Sequence, residues 1–388
     1  MGTPAPSSSI SLQRDAQNPR RGRIVERTAR LGAITETRRY AYDSAGRLAR
    51  VTDGAGGLLE SYQYDHEGRR LADINPQRFR GERRYSYLSG NRLGQAGRVQ
   101  YGHDTAGFRN LKVEAASSGQ RETRYQYEPS GLLLRVDLPD GRRIDYAYAA
   151  KGQRTEKRVN GRVVEAYQWL DPLRLEEFHD GRKWWRLAYD SERPGRTPIG
   201  VTDGGSSFLI VADHLGTPIA LADLDGNVVQ AMRYDAFGNP LRGLQGPVRL
   251  PLGFAGGLFD ADTGLTRFVW RDYDADTGRF TALDPMGAKG GDKDWYGYCV
   301  DDPVNRVDAW GLEWGWDDVA SYGSTIATEA LKQAKVIGSK VATGIGILTA
   351  PLGDMLDPTP VNDVYEETTE FWDKWDTPAE PEDLRKRH

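Results

Sequence analysis

The 388-residue chain is long enough to bury a large core, and its 45 glycines and 19 tyrosines against only 4 methionines indicate short strands joined by tight turns rather than a helical protein. Its single cysteine, Cys299, excludes an intrachain disulfide framework, so packing and strand ladders must hold the fold, which can assemble in a reducing compartment. A net charge of -4 argues against a dedicated nucleic-acid binder, but residues 313–388 hold 15 Asp and Glu against 7 Lys and Arg, a balance of -8 that leaves about +4 on residues 1–312, so the two parts should attract.

Residues 1–34 are rich in Ser, Pro and Arg without periodicity and read as a disordered leader or the tail of a truncated upstream region. They contain no apolar core of a secretory signal, and no stretch of the chain reaches the roughly 18 uninterrupted apolar residues of a membrane span. The expectation is synthesis in the cytoplasm without a signal peptide and delivery outside, or to the cell surface, by another route.

Residues 35–250 carry a repeat. Tyr40-Ala41-Tyr42-Asp43 with Gly46, Tyr62-Gln63-Tyr64-Asp65 with Gly68, and Tyr125-Gln126-Tyr127-Glu128 with Gly131 share one design, as do the units at Tyr85, Tyr101, Tyr146 and Tyr167. From Tyr40 to Tyr167 is 127 residues over six intervals, a period of about 21. Tyr-x-Tyr puts two rings on one face of a strand, because side chains alternate. In Asp-x-x-Gly the carboxylate bonds amides ahead of it and the glycine accepts a positive φ, so the chain reverses and each period is one hairpin. Lone hairpins are marginal, which requires the units to join laterally into a long antiparallel strip that must curl or be covered. Trp184-Trp185, Asp225-Gly226-Asn227 and Tyr234-Asp235-Ala236-Phe237-Gly238 continue this grammar less regularly. His214 has no partner at metal-ligand spacing and reads as a packed or turn histidine.

Residues 251–312 end in a carboxylate-rich stretch from Arg271 to Leu312, after which composition changes. Most of its aspartates sit in turn contexts, Asp274-Ala-Asp-Thr-Gly278 and Asp284-Pro285-Met286-Gly287 among them. Two carboxyls acting on a peptide bond need one protonated and one ionised member, a state reached when like charges are close enough to share a proton. One then activates water while the other protonates the leaving amine or polarises the carbonyl.

The YxYDxxGRL units, YDAFGNP at 234–240, FAGGLFDADTGLTRFVWRDYDADTGRFTALDPMG at 254–287 and PVNRVDAWGL at 303–312 resemble the C-terminal half of an Rhs/YD-repeat protein with its repeat-associated core. The resemblance implies a mainly β fold: a YD-repeat strip curling into a complete or partial hollow shell, followed by a small, mainly α tip. It also implies a self-cleaving aspartyl protease acting on its own chain without cofactor or metal. Asp284 and Asp308 would be the pair, Arg271 their cation and Asp272 a weaker candidate, with the cut between Leu312 and Glu313. Ala309 stands where the family pattern has proline, and without a preset φ the local turn should differ. Implied partners are secretion machinery such as a type VI spike, a cognate immunity protein and a target membrane, in interbacterial competition. No nucleic acid is expected for the shell. The alternative is a cell-surface YD-repeat protein used for adhesion or carbohydrate contact, its aspartates only turn residues.

Residues 313–388 form the variable tip. Asp317-Asp318 can cap a helix over about 318–340, and the apolar, small-residue run from Val341 to Leu352 extends it into an amphipathic element of membrane-active character. The tip has no Cys and its only His is His388, so zinc-dependent and Cys-His mechanisms lack their parts. Membrane perturbation, carboxylate-and-Mg²⁺ nuclease action and an inert tip remain the three readings.

Overall fold

A computed structural model describes residues 8–312, apart from 16–21, 118, 193–194 and 288–291. The expected tip helix, the apolar run after it and Glu313 lie outside the described residues. From Ser9 to Leu244 the chain forms one 22-stranded antiparallel sheet in which every strand pairs with the next in sequence. It runs from Ser9–Arg14 beside Ile24–Leu31 to Val228–Tyr234 beside Pro240–Leu244.

Within residues 8–34, the strands Ser9–Arg14 and Ile24–Leu31 stand where the composition suggested disorder. Ile24 is 0% exposed and donates its amide to Asn305 Oδ1, 281 residues downstream, while Arg27 pairs with Asp213, 186 residues downstream. Their Ser- and Arg-rich composition hid the strands because the partners that order them are this remote.

The repeat unit explains both the strip and its curvature. The first ring of each unit is buried, as at Tyr40, Tyr62, Tyr125 and Tyr167. In several units the second reaches back to a carbonyl of the preceding strand: Tyr42 to Ile24 O (2.7 Å), Tyr64 to Leu48 O (2.8 Å), Tyr148 to Leu133 O (2.6 Å) and Trp169 Nε1 to Arg154 O (2.7 Å). Directly before this second ring the register slips, between Ala41 and Tyr42, Gln63 and Tyr64, Ser86 and Tyr87, Gln126 and Tyr127, Ala147 and Tyr148, and Gln168 and Trp169. Such a bulge bends a strand and increases its twist, so every repeat contributes a fixed increment of curl.

The turns follow the local chemistry. Asp43 Oδ1 accepts from the amides of Ala45 and Arg47, both at 2.9 Å, and Gly46 takes φ +83°. Arg47 then bonds Asp43 Oδ2 at 2.7 Å and lies 4.6 Å from the ring centroid of Tyr64, tying each turn to the next hairpin. The curl brings the first strands onto the late ones through side chains: Ala29 packs with Val211 and Ile219, Arg233 bonds Glu36 at 2.7 Å, and Arg38 bonds Tyr234 O at 2.6 Å. His214 is buried at this seam, donating through Nε2 to Val304 O at 2.8 Å, and burial lowers its pKa.

After the strip, a four-stranded antiparallel sheet (Leu258–Asp260, Leu265–Phe268, Arg271–Asp274 and Arg279–Phe280) packs against its buried face. Phe254, Phe268, Tyr273, Phe280 and Tyr298 form the aromatic centre. Around it, basic side chains of the strip meet carboxylates of the small sheet and its turns. Lys157 binds Asp260 (2.7 Å), Arg154 binds Asp272 (3.0 Å), Arg109 binds Asp274 (2.6 Å) and Arg83 binds Asp276 (2.7 Å). Most of these groups are buried, and because removing one member of a buried ion pair costs about 3–5 kcal/mol, the set specifies how the core element seats.

Candidate active site

Arg271 opens the third strand of the small sheet, and its guanidinium, with the side chain 3% exposed, is the centre of the site. Nη2 lies 2.8 Å from Asp284 Oδ2 and 3.2 Å from Asp308 Oδ2, so one nitrogen bridges both carboxyls. Nη1 donates to Trp295 O at 3.2 Å and Nε donates to Gly311 O. The guanidinium carbon lies 3.7 Å from the Phe280 ring centroid, which completes the set of partners around the cation.

Asp284 follows the small sheet in a turn. Its carboxylate Oδ1 accepts from the Met286 amide at 2.7 Å, and its own amide donates to Trp295 O at 2.9 Å. Asp308 accepts from the Leu312 amide through Oδ1 at 2.9 Å, a contact from a carboxyl directly to the residue preceding the expected cut. Leu312 is itself 1% exposed, and Gly311, at φ +73°, makes the bend that folds Leu312 back onto Asp308. Only glycine suits that position: a Cβ there would lie 2.7 Å from Phe268 O and 3.1 Å from the Arg271 amide nitrogen.

Burial pushes the Asp308 carboxyl up to about 7, with neighbouring Asp284 adding to the rise; Arg271 and the amides of Leu312 and Gly311 oppose it. Asp308 therefore exchanges its proton near neutrality. Asp284 is the carboxyl nearer to the cation, at 2.8 Å against 3.2 Å for Asp308. The arrangement places two carboxyls and a fixed cation beside one backbone segment.

The sequence-derived candidates divide cleanly. Arg271, Asp284, Asp308 and Leu312 come together. Asp272 does not share their surroundings: it is 1% exposed, and its two oxygens are taken by Arg154 (3.0 Å) and Arg267 (2.7 Å). As the strand neighbour of Arg271 it points to the opposite face. Ala309, 8% exposed, packs in the same aromatic cluster as Val307 and Tyr298. Sequence reasoning missed the Trp295 carbonyl, which no side-chain motif announces, and a left-handed turn in which Cys299, Val300 and Asp301 take φ of +54°, +52° and +53°. Among the described residues no group of His, Cys, Asp and Glu is arranged to hold a metal ion.

A curled tyrosine-repeat strip seated on a small sheet with a buried Arg–carboxyl site defines a YD-repeat protein. The Teneurin YD-shell family model matches residues 8–289, and the chain belongs to that family. It is 30% identical to Teneurin-3 of Danio rerio over 271 residues, covering 68% of this chain and 10% of that protein. It is 28% identical over 324 residues to Double-stranded DNA deaminase toxin A of Burkholderia cenocepacia (strain H111), covering 75% of this chain and 22% of that one. A crystal structure of TcdB2-TccC3-Cdc42 shares the fold, with a TM-score of 0.51 at 15% identity, over 84% of this chain and 17% of that chain. The chain thus spans between 10% and 22% of the length of these relatives. Arg271 and Asp284 fall within the family match and Asp308 beyond it.

Proposed function

We propose that this chain is the shell-forming part of a toxin carrier and that it cuts itself between Leu312 and Glu313 to separate residues 313–388. The observation that carries the reading is the single Arg271 nitrogen bridging Asp284 and Asp308 while Asp308 accepts from the Leu312 amide. The relation to a deaminase toxin supports the carrier role.

In the proposed step Asp284 takes a proton from a solvent water, whose oxygen attacks the Leu312 carbonyl carbon. Asp308 gives its proton to the Glu313 nitrogen as the C–N bond breaks. Leu312 ends as a carboxylic acid and Glu313 as a free amine; one water is consumed, and proton exchange with solvent resets the pair. Arg271 holds the pair at fixed separation and favours the singly protonated state. The freed segment acts on competing cells, with membrane perturbation as its action, delivery by secretion machinery, and an immunity protein protecting the producer.

The test is a denaturing gel with intact mass. Scaling the 43.3 kDa chain by 76 of 388 residues gives a fragment of about 8.5 kDa beginning at Glu313. The wild-type chain is expected to yield it and Asp308→Asn to remain whole. An intact wild-type chain would instead favour an uncut surface protein used for adhesion or carbohydrate contact.

A further inference from the structure

The Trp295 carbonyl touches both Arg271 and the turn of Asp284, accepting from the Asp284 amide at 2.9 Å and from Arg271 Nη1 at 3.2 Å. Its position is fixed by its two neighbours. Asp294 receives both Arg279 terminal nitrogens, Nη2 donating to Oδ1 at 2.9 Å and Nη1 donating to Oδ2, and also accepts from the Tyr296 amide at 3.1 Å. Arg279 Nη2 then reaches the strip, donating to Asn91 O at 2.8 Å. Tyr296 passes its hydroxyl to Gly107 O, also on the strip, at 2.6 Å, and its carbonyl accepts from the Phe280 amide at 2.8 Å. Arg279, Asp294 and Tyr296 are 6%, 5% and 2% exposed. Two carbonyls of strip turns, about 190 residues earlier in the chain, thus clamp the segment that seats Arg271 and Asp284.

We propose that Arg279, Asp294 and Tyr296 are positioning residues that complete the carboxyl pair only once the strip has folded onto the small sheet, so that the cut follows folding and cannot precede it. The proposal rests on the self-cleavage reading of Asp284 and Asp308. None of the three touches the bond to be cut; each acts through the Trp295 carbonyl. Without the Gly107 anchor that carbonyl is free to shift, and displacements on the scale of 1 Å cost up to about a hundredfold in rate in oriented sites. The released chain length and the final yield are set by Asp284, Asp308 and Leu312 and do not depend on the anchor.

The full chain is made by cell-free translation with radiolabelled leucine, chased, and sampled over time on denaturing gels. Tyr296→Phe deletes one oxygen and keeps the ring. It is expected to lower the rate constant for tip release by roughly ten- to a hundredfold, while the final fraction cut equals that of the wild type. Asp294→Asn, which loosens the Arg279 fork, is expected to slow release in the same way. A purely structural role predicts the reverse pattern, an unchanged rate constant with a smaller final fraction. That pattern, or wild-type kinetics in Tyr296→Phe, overturns the proposal. Limited proteolysis of Tyr296→Phe identifies folded chains, on which the rate is read even if part of the material misfolds. A wild-type chain that stays whole, or an Asp308→Asn chain that is cut, overturns the self-cleavage reading itself, and the positioning role falls with it.

Discussion

Replacing Glu60 by glutamine tests whether this fold keeps a carboxyl protonated in its interior away from the candidate active site. Glu60 lies on the strand Leu58–Tyr64 and is 0% exposed. The Ala236 amide donates to its two oxygens at 3.1 and 3.0 Å, the Tyr62 hydroxyl donates at 2.6 Å, and Arg38 stands 4.0 Å away. Burial first, and the charge of Asp235 next, push its pKa from 4.5 up to about 7; Arg38, Tyr62 and Ala236 pull the other way. The folded chain therefore holds this proton more tightly than the unfolded one. The stability it contributes is fully present below about pH 4.5 and is lost as pH rises through about 7. A rise from 4.5 to about 7 corresponds to something on the order of 3 kcal/mol. Glutamine mimics the protonated acid without titrating, but must turn its amide away from the Ala236 donor, at a cost of about 1 kcal/mol. Glu60→Gln is thus expected to be about 1 kcal/mol less stable than the wild type near pH 3.5 and about 2 kcal/mol more stable near pH 8, so the two stability curves cross. Urea unfolding followed by tryptophan fluorescence at several pH values across this range measures both. A wild-type-minus-variant difference that stays constant over the range would refute the reasoning, because it would mean that Glu60 is ionised in the fold.

Arg271→Lys keeps the charge but cannot reach Gly311 O, Trp295 O, Asp284 and Asp308 at once, and release of the tip should slow by roughly a hundredfold on timed gels. Gly311→Ala forces a side chain into φ +73° and against Phe268 O; a loss of more than about 1 kcal/mol in urea unfolding is expected, together with slower cutting. Arg154→Met leaves Asp272 with Arg267 alone in a buried setting and should cost about 3–5 kcal/mol in the same assay. Val300→Asn places a residue tolerant of the left-handed region at φ +52°, and thermal unfolding should show a gain of up to about 1 kcal/mol.

What could be read from the sequence was what depends on neighbours in sequence. Tyr-x-Tyr and Asp-x-x-Gly specify a strand face and a turn through alternation and local hydrogen bonds, so the hairpins were legible from Tyr40 onward. The bulge before Tyr42 or Tyr64 was not, because register is a property of two strands together. The strands at Ser9–Arg14 and Ile24–Leu31 were misread because Asn305 and Asp213 order them from far along the chain. At the site, Arg271, Asp284 and Asp308 were singled out by family resemblance, for their turn contexts alone resemble those of a dozen other aspartates. Asp272 could have been set aside had Arg271–Asp274 been recognised as a strand, since adjacent strand residues face opposite sides. Arg154, Lys157 and Arg109 gave no sequence signal of their partnership with the small sheet.

The bond from the Ile24 amide to Asn305 has a consequence for biosynthesis. A chain made at about 5–20 residues per second needs roughly 14–56 seconds to travel the 281 residues between them. Throughout that interval Ile24 has neither Asn305 nor the late strands to cover it, and the growing strip presents open strand edges able to recruit other nascent chains. Glu26, Arg30 and Arg39 put charge on the outer face of these earliest strands during the wait. Neutral replacements of the exposed Arg30 and Arg39 should leave the finished protein folded but lower its yield as expression is driven harder.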